Sequence, residues 1–219
     1  MTIYTDEEEL FTEWKKHRTG FVSDGVACEE EYLKSEIKIL FVLKEVNDPN
    51  GGNWDLREFV RNGGRRQTWN NISRWVQGIR NVNNDMKWSD LANIDPRRKE
   101  ILKSIAAINL KKTPGGHTTN KSEMEKIAKE DKEFLNTQFH LYNPDLIICC
   151  GSSVTGSFCN LINFKDSSKW KWTSRGVHYL EFDSGKILID YSHPEARVSD
   201  NLLYYGLIDA VKEVVISKT

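Results

Sequence analysis

The sequence predicts a three-layer α/β/α domain built on a mostly parallel sheet. Three observations lead there. Short runs that are apolar at nearly every position recur at residues 37–43, 104–110, 145–150 and 186–191. Strands without polar alternation are covered on both faces, which is the habit of parallel sheets. Helical patterns separate these runs, so each strand is followed by a crossover that can cover the sheet. Finally, 219 residues without repeats, low-complexity tracts or linker-like breaks fit one domain, 1–219, with an N-terminal helical extension over about residues 1–35.

Taken in order, residues 6–18 read as an amphipathic helix with Leu10, Phe11 and Trp14 on one face. The strand at 37–43 runs into a Gly/Asn/Pro-rich loop over 47–53. A short helix over 55–61 ends at Gly63-Gly64. Thr68 reads as the cap of a helix carrying Trp69, Ile72, Trp75 and Ile79. Residues 81–95 form a polar loop, and Asp95-Pro96 opens another helix. The strand at 104–110 ends in Pro114-Gly115-Gly116. One long helix is expected over 121–141, a strand over 145–150 closing at Gly151, and a helix over 153–163. Residues 177–182 alternate and pair through Asp183-Ser184-Gly185 with the strand at 186–191; a last helix covers 200–216.

Composition narrows function mainly by exclusion. Hydrophobic residues are 38% and charged residues 29%, as in ordinary globular domains. A net charge of −1 gives no global pull towards nucleic acid, so any such contact must come from a local basic face. The acidic, amphipathic segment 2–14 matches neither a secretory signal nor a transit peptide, and no apolar stretch is long enough to span a membrane; the expected compartment is the cytoplasm. The cysteines Cys28, Cys149, Cys150 and Cys159 lack metal-ligand spacing and read as structural, so no metal or other cofactor is expected.

In a parallel sheet the functional loops lie at the carboxyl ends of the strands. Three such loops carry chemistry: Lys44-Glu45-Val46-Asn47-Asp48, Asn109 with Lys111-Lys112-Thr113-Pro114-Gly115-Gly116, and Ser192-His193-Pro194-Glu195-Ala196-Arg197. A carboxylate, a carboxamide and an imidazole are thereby brought to one rim. Each alone is more often a cap, a solvated loop charge or an incidental His-Pro; the ordered set is more specific.

That ordered set resembles the uracil-DNA glycosylase superfamily. Lys44-Glu45-Val46-Asn47-Asp48 resembles the GEAPG form of the family's first motif, and Ile108-Asn109-Leu110-Lys111-Lys112-Thr113-Pro114-Gly115 resembles its middle motif. Asn143-Pro144-Asp145 through Gly151 is similar to the P-x-strand-G element, and His193-Pro194-Glu195 to the HPS-like last motif. The likeness spans about residues 37–212. Four departures stand out. The motif glycine is Lys44, its proline is Asn47 or shifted to Pro49, iron–sulfur cysteines are absent, and the serine after His-Pro is Glu195.

The resemblance implies a central four-stranded, mostly parallel sheet and a monofunctional, metal-independent glycosylase that flips a pyrimidine out of DNA. It gives His193 the role of hydrogen-bond donor to the pyrimidine O2. Glu45 would orient water and balance the sugar cation, with Asn47 and Asp48 as competitors. Asn109 would read the base edge, and Trp69, or else Trp54, would stack on the base. Arg65, Arg66, Lys111, Lys112 and Arg197 would hold phosphates. The family's tyrosine that blocks the pyrimidine C5 position corresponds here to Asp48, or to Asn50. A C5-modified base, such as the hydroxymethylated or glucosylated cytosine of phage DNA, is therefore an expected substrate, in antiviral defence. Uracil repair is the alternative. DNA is the expected partner, with no membrane and no obligate protein partner. Two rivals remain: a nucleotide-binding α/β hydrolase or transferase, for which the glycine spacing of 50–53 and 114–116 is wrong, and an inactive DNA-binding module of the same fold.

Overall fold

The computed structural model describes residues 2–49, 51–116, 120–164 and 169–215. Among these residues the sheet has seven strands: β1 (Gly25–Val26), β2 (Ile39–Leu43), β3 (Ile105–Asn109), β4 (Leu146–Cys150), β5 (Lys171–Trp172), β6 (His178–Phe182) and β7 (Lys186–Tyr191). Their spatial order is β1-β3-β2-β4-β7-β6-β5. Strands β3, β2, β4 and β7 are mutually parallel, β1 adds antiparallel to β3, and the hairpin of β6 and β5 adds antiparallel to β7. The sheet is therefore mixed and seven-stranded, not the mostly parallel four-stranded sheet expected above. Of the three strands beyond the central four, β6 matches the alternating run at 177–182, whereas β1 and β5 are two residues each, too short to leave a periodic signal in the sequence.

Ten helices accompany the sheet among the described residues. They are α1 (Ile3–Trp14), α2 (Glu29–Leu33), α3 (Leu56–Arg61), α4 (Arg66–Arg80), α5 (Trp88–Ala92), α6 (Asp95–Leu102), α7 (Lys121–Glu130), α8 (Lys132–Tyr142), α9 (Ser152–Leu161) and α10 (Asp200–Val215). Strands β2, β3 and β4 are buried at every position and β7 at its centre, Ile187–Ile189, and their side chains alternate between two cores. Ile39, Phe41 and Leu43 point with Ile148 and Ile189 towards α4 and α10, where Trp75, Ile72 and Leu207 lie. Leu40 and Val42 point with Ile147 and Leu188 towards the other face, where Phe11, Trp14, Phe139 and Phe158 lie. Two apolar cores on opposite faces of one sheet make three layers.

Several local expectations are corrected. The 121–141 helix is two helices, because Asp131 leaves helical geometry and is buried in an ion pair with Arg18 at 2.8 Å. The "loop" at 81–95 contains α5, whose Leu91 is buried. Thr68 is not the cap of α4: the helix starts at Arg66, and Thr68 lies in its first turn. Within the first 35 residues, α1 and α2 are accompanied by β1, which joins the sheet, and the Glu7 carboxylate accepts from Val26 N at 3.1 Å. Among the described residues no helix is long and apolar enough to cross a membrane.

The topology positions the site. From β2 the chain moves first to β3 on one side and later to β4 on the other, so the strand order reverses around β2. Crevices at the carboxyl end of such a switch point are where open α/β sheets bind ligands.

Candidate active site

A cleft of about 510 Å³ opens at the carboxyl ends of β2 and β3. Glu45, Asn47, Asp48, Trp54, Arg65, Trp69, Asn109 and His193 all line it. Residues from three separate loops and from α4 thus meet as the sequence suggested.

The floor is formed where two loops zip together. Lys111 N donates to Lys44 O at 2.9 Å, Gly115 N to Val46 O at 2.9 Å, and Asp48 N to Gly115 O at 3.1 Å. This ladder continues the pairing of β2 with β3 beyond the strands and sets Glu45 against Gly115. A Cβ at position 115 would stand 2.3 Å from the Glu45 carboxyl carbon, so only glycine leaves the carboxylate where it is. The Glu45 side chain is only 5% exposed, and Lys111 Nζ lies 2.8 Å from its Oε2 and 3.3 Å from Glu123 Oε1. Burial pulls the Lys111 pKa down, but these two carboxylates outweigh it and leave it raised.

Asp48 has a different occupation. Its Oδ2 accepts from Gly52 N at 3.1 Å and from the indole Nε1 of Trp54 at 2.9 Å. One side chain thus ties Gly52 to an aromatic wall of the cleft. The alternative C5-facing position, Asn50, lies outside the described residues.

Aromatic residues make the other wall. Trp69 is almost buried, with part of its ring among core residues such as Ile72, and it still reaches the cleft. The same residue thus belongs to the core and borders the cleft. Gly64, at φ +62°, brings the backbone against its indole, where a Cβ would approach Cδ1 to 2.2 Å. Trp54 is half-buried and packs edge-on against Phe59 at 5.7 Å between ring centroids.

His193 enters from the loop after β7. Asn71 Nδ2 donates to Pro194 O at 2.8 Å, and Arg74 Nη1 donates to Asn71 Oδ1 at 2.6 Å, so α4 holds the His-Pro turn from below. Glu195 N donates to His193 Nδ1 at 3.1 Å. Nδ1 is therefore the acceptor nitrogen, and the ring proton of the neutral imidazole sits on Nε2. Burial lowers the His193 pKa. Glu195 opposes this, while Lys44 and Arg65 add to it, and the net direction is down. The Glu195 carboxylate accepts from Arg65 Nη2 at 2.6 Å and from the Thr68 hydroxyl. Burial raises its pKa, but these donors and Arg65's charge dominate and hold it below the usual carboxylate range.

Not every expected residue is at the cleft. Lys112 is the clearest correction: its side chain is fully buried, with Nζ 2.5 Å from Asp24 Oδ1, 2.8 Å from Gln138 Oε1 and 4.9 Å from the centre of the Trp14 ring. No phosphate can reach it. Lys111 is likewise spent on Glu45 and Glu123, beneath the surface. Arg66 is exposed and paired with Asp95 at 2.6 Å, and Arg197 is exposed; neither lines the cleft. Arg65 does, as the partner of Glu195.

The sequence reading passed over Phe59, Thr68 and Asp24 as site residues. Phe59 is the aromatic of the short helix α3 and stays 41% exposed while lining the cleft. Asp24 lies under Asn109 and accepts from its backbone N at 2.7 Å; the only sequence hint is a carboxylate alone between Val22 and Val26. Among the described residues, no three His, Cys, Asp or Glu side chains are grouped to hold a metal ion. Neither a protein-family model nor a curated protein sequence matches the chain.

Proposed function

We propose that this protein is a DNA glycosylase, similar to the uracil-DNA glycosylase superfamily, that hydrolyses the N-glycosidic bond of a flipped-out, non-standard pyrimidine. One observation carries the reading: Glu45, Asn109 and His193, whose Nδ1 accepts from Glu195 N, line a single cleft at the sheet's switch point. The cleft's volume lies in the range of small-molecule sites, and its aromatic wall offers flat surfaces for a base.

In this reading the bond from C1′ to the base nitrogen breaks first, leaving positive charge on the sugar and negative charge on the base. His193 Nε2–H donates to the pyrimidine O2 as that charge grows. A donor aimed at developing charge contributes a few kcal/mol, about a hundredfold or more in rate. The lowered pKa suits this task, because the imidazole stays neutral and keeps its Nε2 proton. Glu45 faces the sugar cation and accepts the proton of the attacking water, whose oxygen forms the new bond to C1′. Lys111 fixes one carboxylate oxygen by the 2.8 Å contact. Trp69, Trp54 and Phe59 stack on the extruded base, and Arg65 is a cleft-side cation for a flanking phosphate.

The substrate we propose is a C5-modified cytosine of phage DNA, excised in the cytoplasm as antiviral defence. The support is the absence of a bulky side chain at Asp48, whose carboxylate is folded back onto Gly52 and Trp54. The test uses oligonucleotides carrying uracil, 5-hydroxymethylcytosine or glucosylated hydroxymethylcytosine. The expected result is alkali-labile cleavage at a modified cytosine. Cleavage at uracil alone would replace the substrate, and none on any base would overturn the glycosylase reading.

A further inference from the structure

Asp24 is fully buried, and nothing in the chemistry above uses it. Four N–H contacts converge on its carboxylate. Oδ2 accepts from Asn109 N at 2.7 Å and from Asn109 Nδ2 at 3.3 Å; Oδ1 accepts from Lys112 Nζ at 2.5 Å and from Gln138 Nε2 at 3.0 Å. Gln138 also donates to Asp24 O at 3.0 Å and to the Tyr142 hydroxyl at 2.8 Å, and it accepts from Lys112, so the cluster is tied to α8. A carboxylate surrounded only by donors acts as a pure acceptor.

That arrangement decides which way the Asn109 amide faces. Turned the other way, its Oδ1 would stand against Asp24 Oδ2, two acceptors with no proton between them. With Nδ2 held by Asp24, Oδ1 makes no hydrogen bond among the described residues and is not sealed off as a buried orphan. Asn109 lines the cleft, so the polar atom left for a ligand is an acceptor.

We infer that Asp24 is a positioning residue that locks Asn109 as a hydrogen-bond acceptor, so that the cleft selects pyrimidines presenting an N–H on the edge facing Asn109. This rests on the reading of the cleft as a base pocket. It also replaces the ambiguity of a free carboxamide, which can donate or accept, with a definite sign. A base whose edge N–H is replaced by N–CH₃ leaves Oδ1 desolvated and unpaired, which weakens binding by on the order of tenfold to a hundredfold.

Two measurements test it. Asp24→Leu alone leaves Lys112 without its carboxylate, so the variant to use is Asp24→Leu/Lys112→Met, which removes both charges and the acceptor oxygens at position 24; its melting curve verifies folding. In ¹⁵N-labelled wild-type protein, the Asn109 side-chain amide should show two distinct protons, one protected from exchange; in the double variant both should exchange freely. Tryptophan fluorescence, reporting through Trp54 and Trp69, should show uracil binding at least tenfold tighter than 3-methyluracil in wild type, and within about twofold in the folded double variant. A freely exchanging amide in wild type, an unchanged preference in the double variant, or no binding of either base would each overturn the inference. Failure of the glycosylase reading looks different: a protected amide and selective base binding, with no base released from any DNA.

Discussion

Substituting Gly115 by alanine separates the geometry of Glu45 from the stability of the fold. The added Cβ would lie 2.3 Å from the Glu45 carboxyl carbon and Oε1, and 2.6 Å from Oε2. Ordinary contact begins at 3.4 Å, so the carboxylate must retreat by about 1 Å. It is the end of a flexible side chain, and Gly115 has no positive φ to forbid alanine, so the fold should accommodate the change at a cost of about 1 kcal/mol. The chemistry should not. A displacement of about 1 Å strains the Lys111 contact and carries the carboxylate away from C1′; such misplacement costs on the order of a hundredfold in rate. The assay pairs a thermal melt with single-turnover excision. Near-native melting with a hundredfold slower reaction is expected. Full activity would show that the position of Glu45 does not matter, and would return the role to Asn47 or Asp48.

Other perturbations follow from the same geometry. His193→Ala should slow excision by about a hundredfold or more while DNA binding, measured by fluorescence anisotropy, stays within a few-fold, because the lost donor acts on charge that exists only in the transition state. The excision rate should be flat through neutral pH and fall on acidification with a midpoint below the ordinary histidine value of about 6.5. The sign follows from the lowered pKa: the neutral ring persists to lower pH, and protonation then puts a second N–H on Nδ1, against the Glu195 N–H it accepts. Glu195, itself lowered, stays ionised across that window, so its latch to Arg65 and Thr68 should release only at still lower pH. Lys112→Met should destabilise the protein by roughly 3–5 kcal/mol in denaturant titration, since it strands the buried Asp24 carboxylate. It should leave the salt dependence of DNA binding unchanged, whereas a phosphate-contacting lysine would lower that slope.

Particular residues show what could be read from the chain and what could not. The runs around Ile39–Leu43 and Leu146–Cys150 announce buried strands because every position is apolar, and each strand ends in a loop whose chemistry is local in sequence. That was enough to bring Glu45, Asn109 and His193 to one rim. Lys111 and Lys112 misled for the opposite reason. They follow a strand and look like a basic loop, yet the ladder continues through them, with Val22 N donating to Lys112 O at 2.8 Å. The partners that draw them inward, Asp24 and Glu45, are 88 and 66 residues away in sequence. Asp131 interrupts a helix for a comparable reason, through an ion pair to Arg18, 113 residues away in sequence. Periodicity reports burial of apolar faces; it does not report which distant charge makes burial of a lysine tolerable.

The central claim is that this cleft releases an intact base by hydrolysis. The most direct measurement is mass spectrometry of the small-molecule fraction after single-turnover incubation with DNA holding one C5-modified cytosine, together with a count of abasic sites in the recovered strand. The account predicts free modified base in equal amount to abasic sites, with both reduced at least about a hundredfold by His193→Ala. Base release that His193→Ala leaves unchanged, or unaltered DNA with no free base, would contradict it.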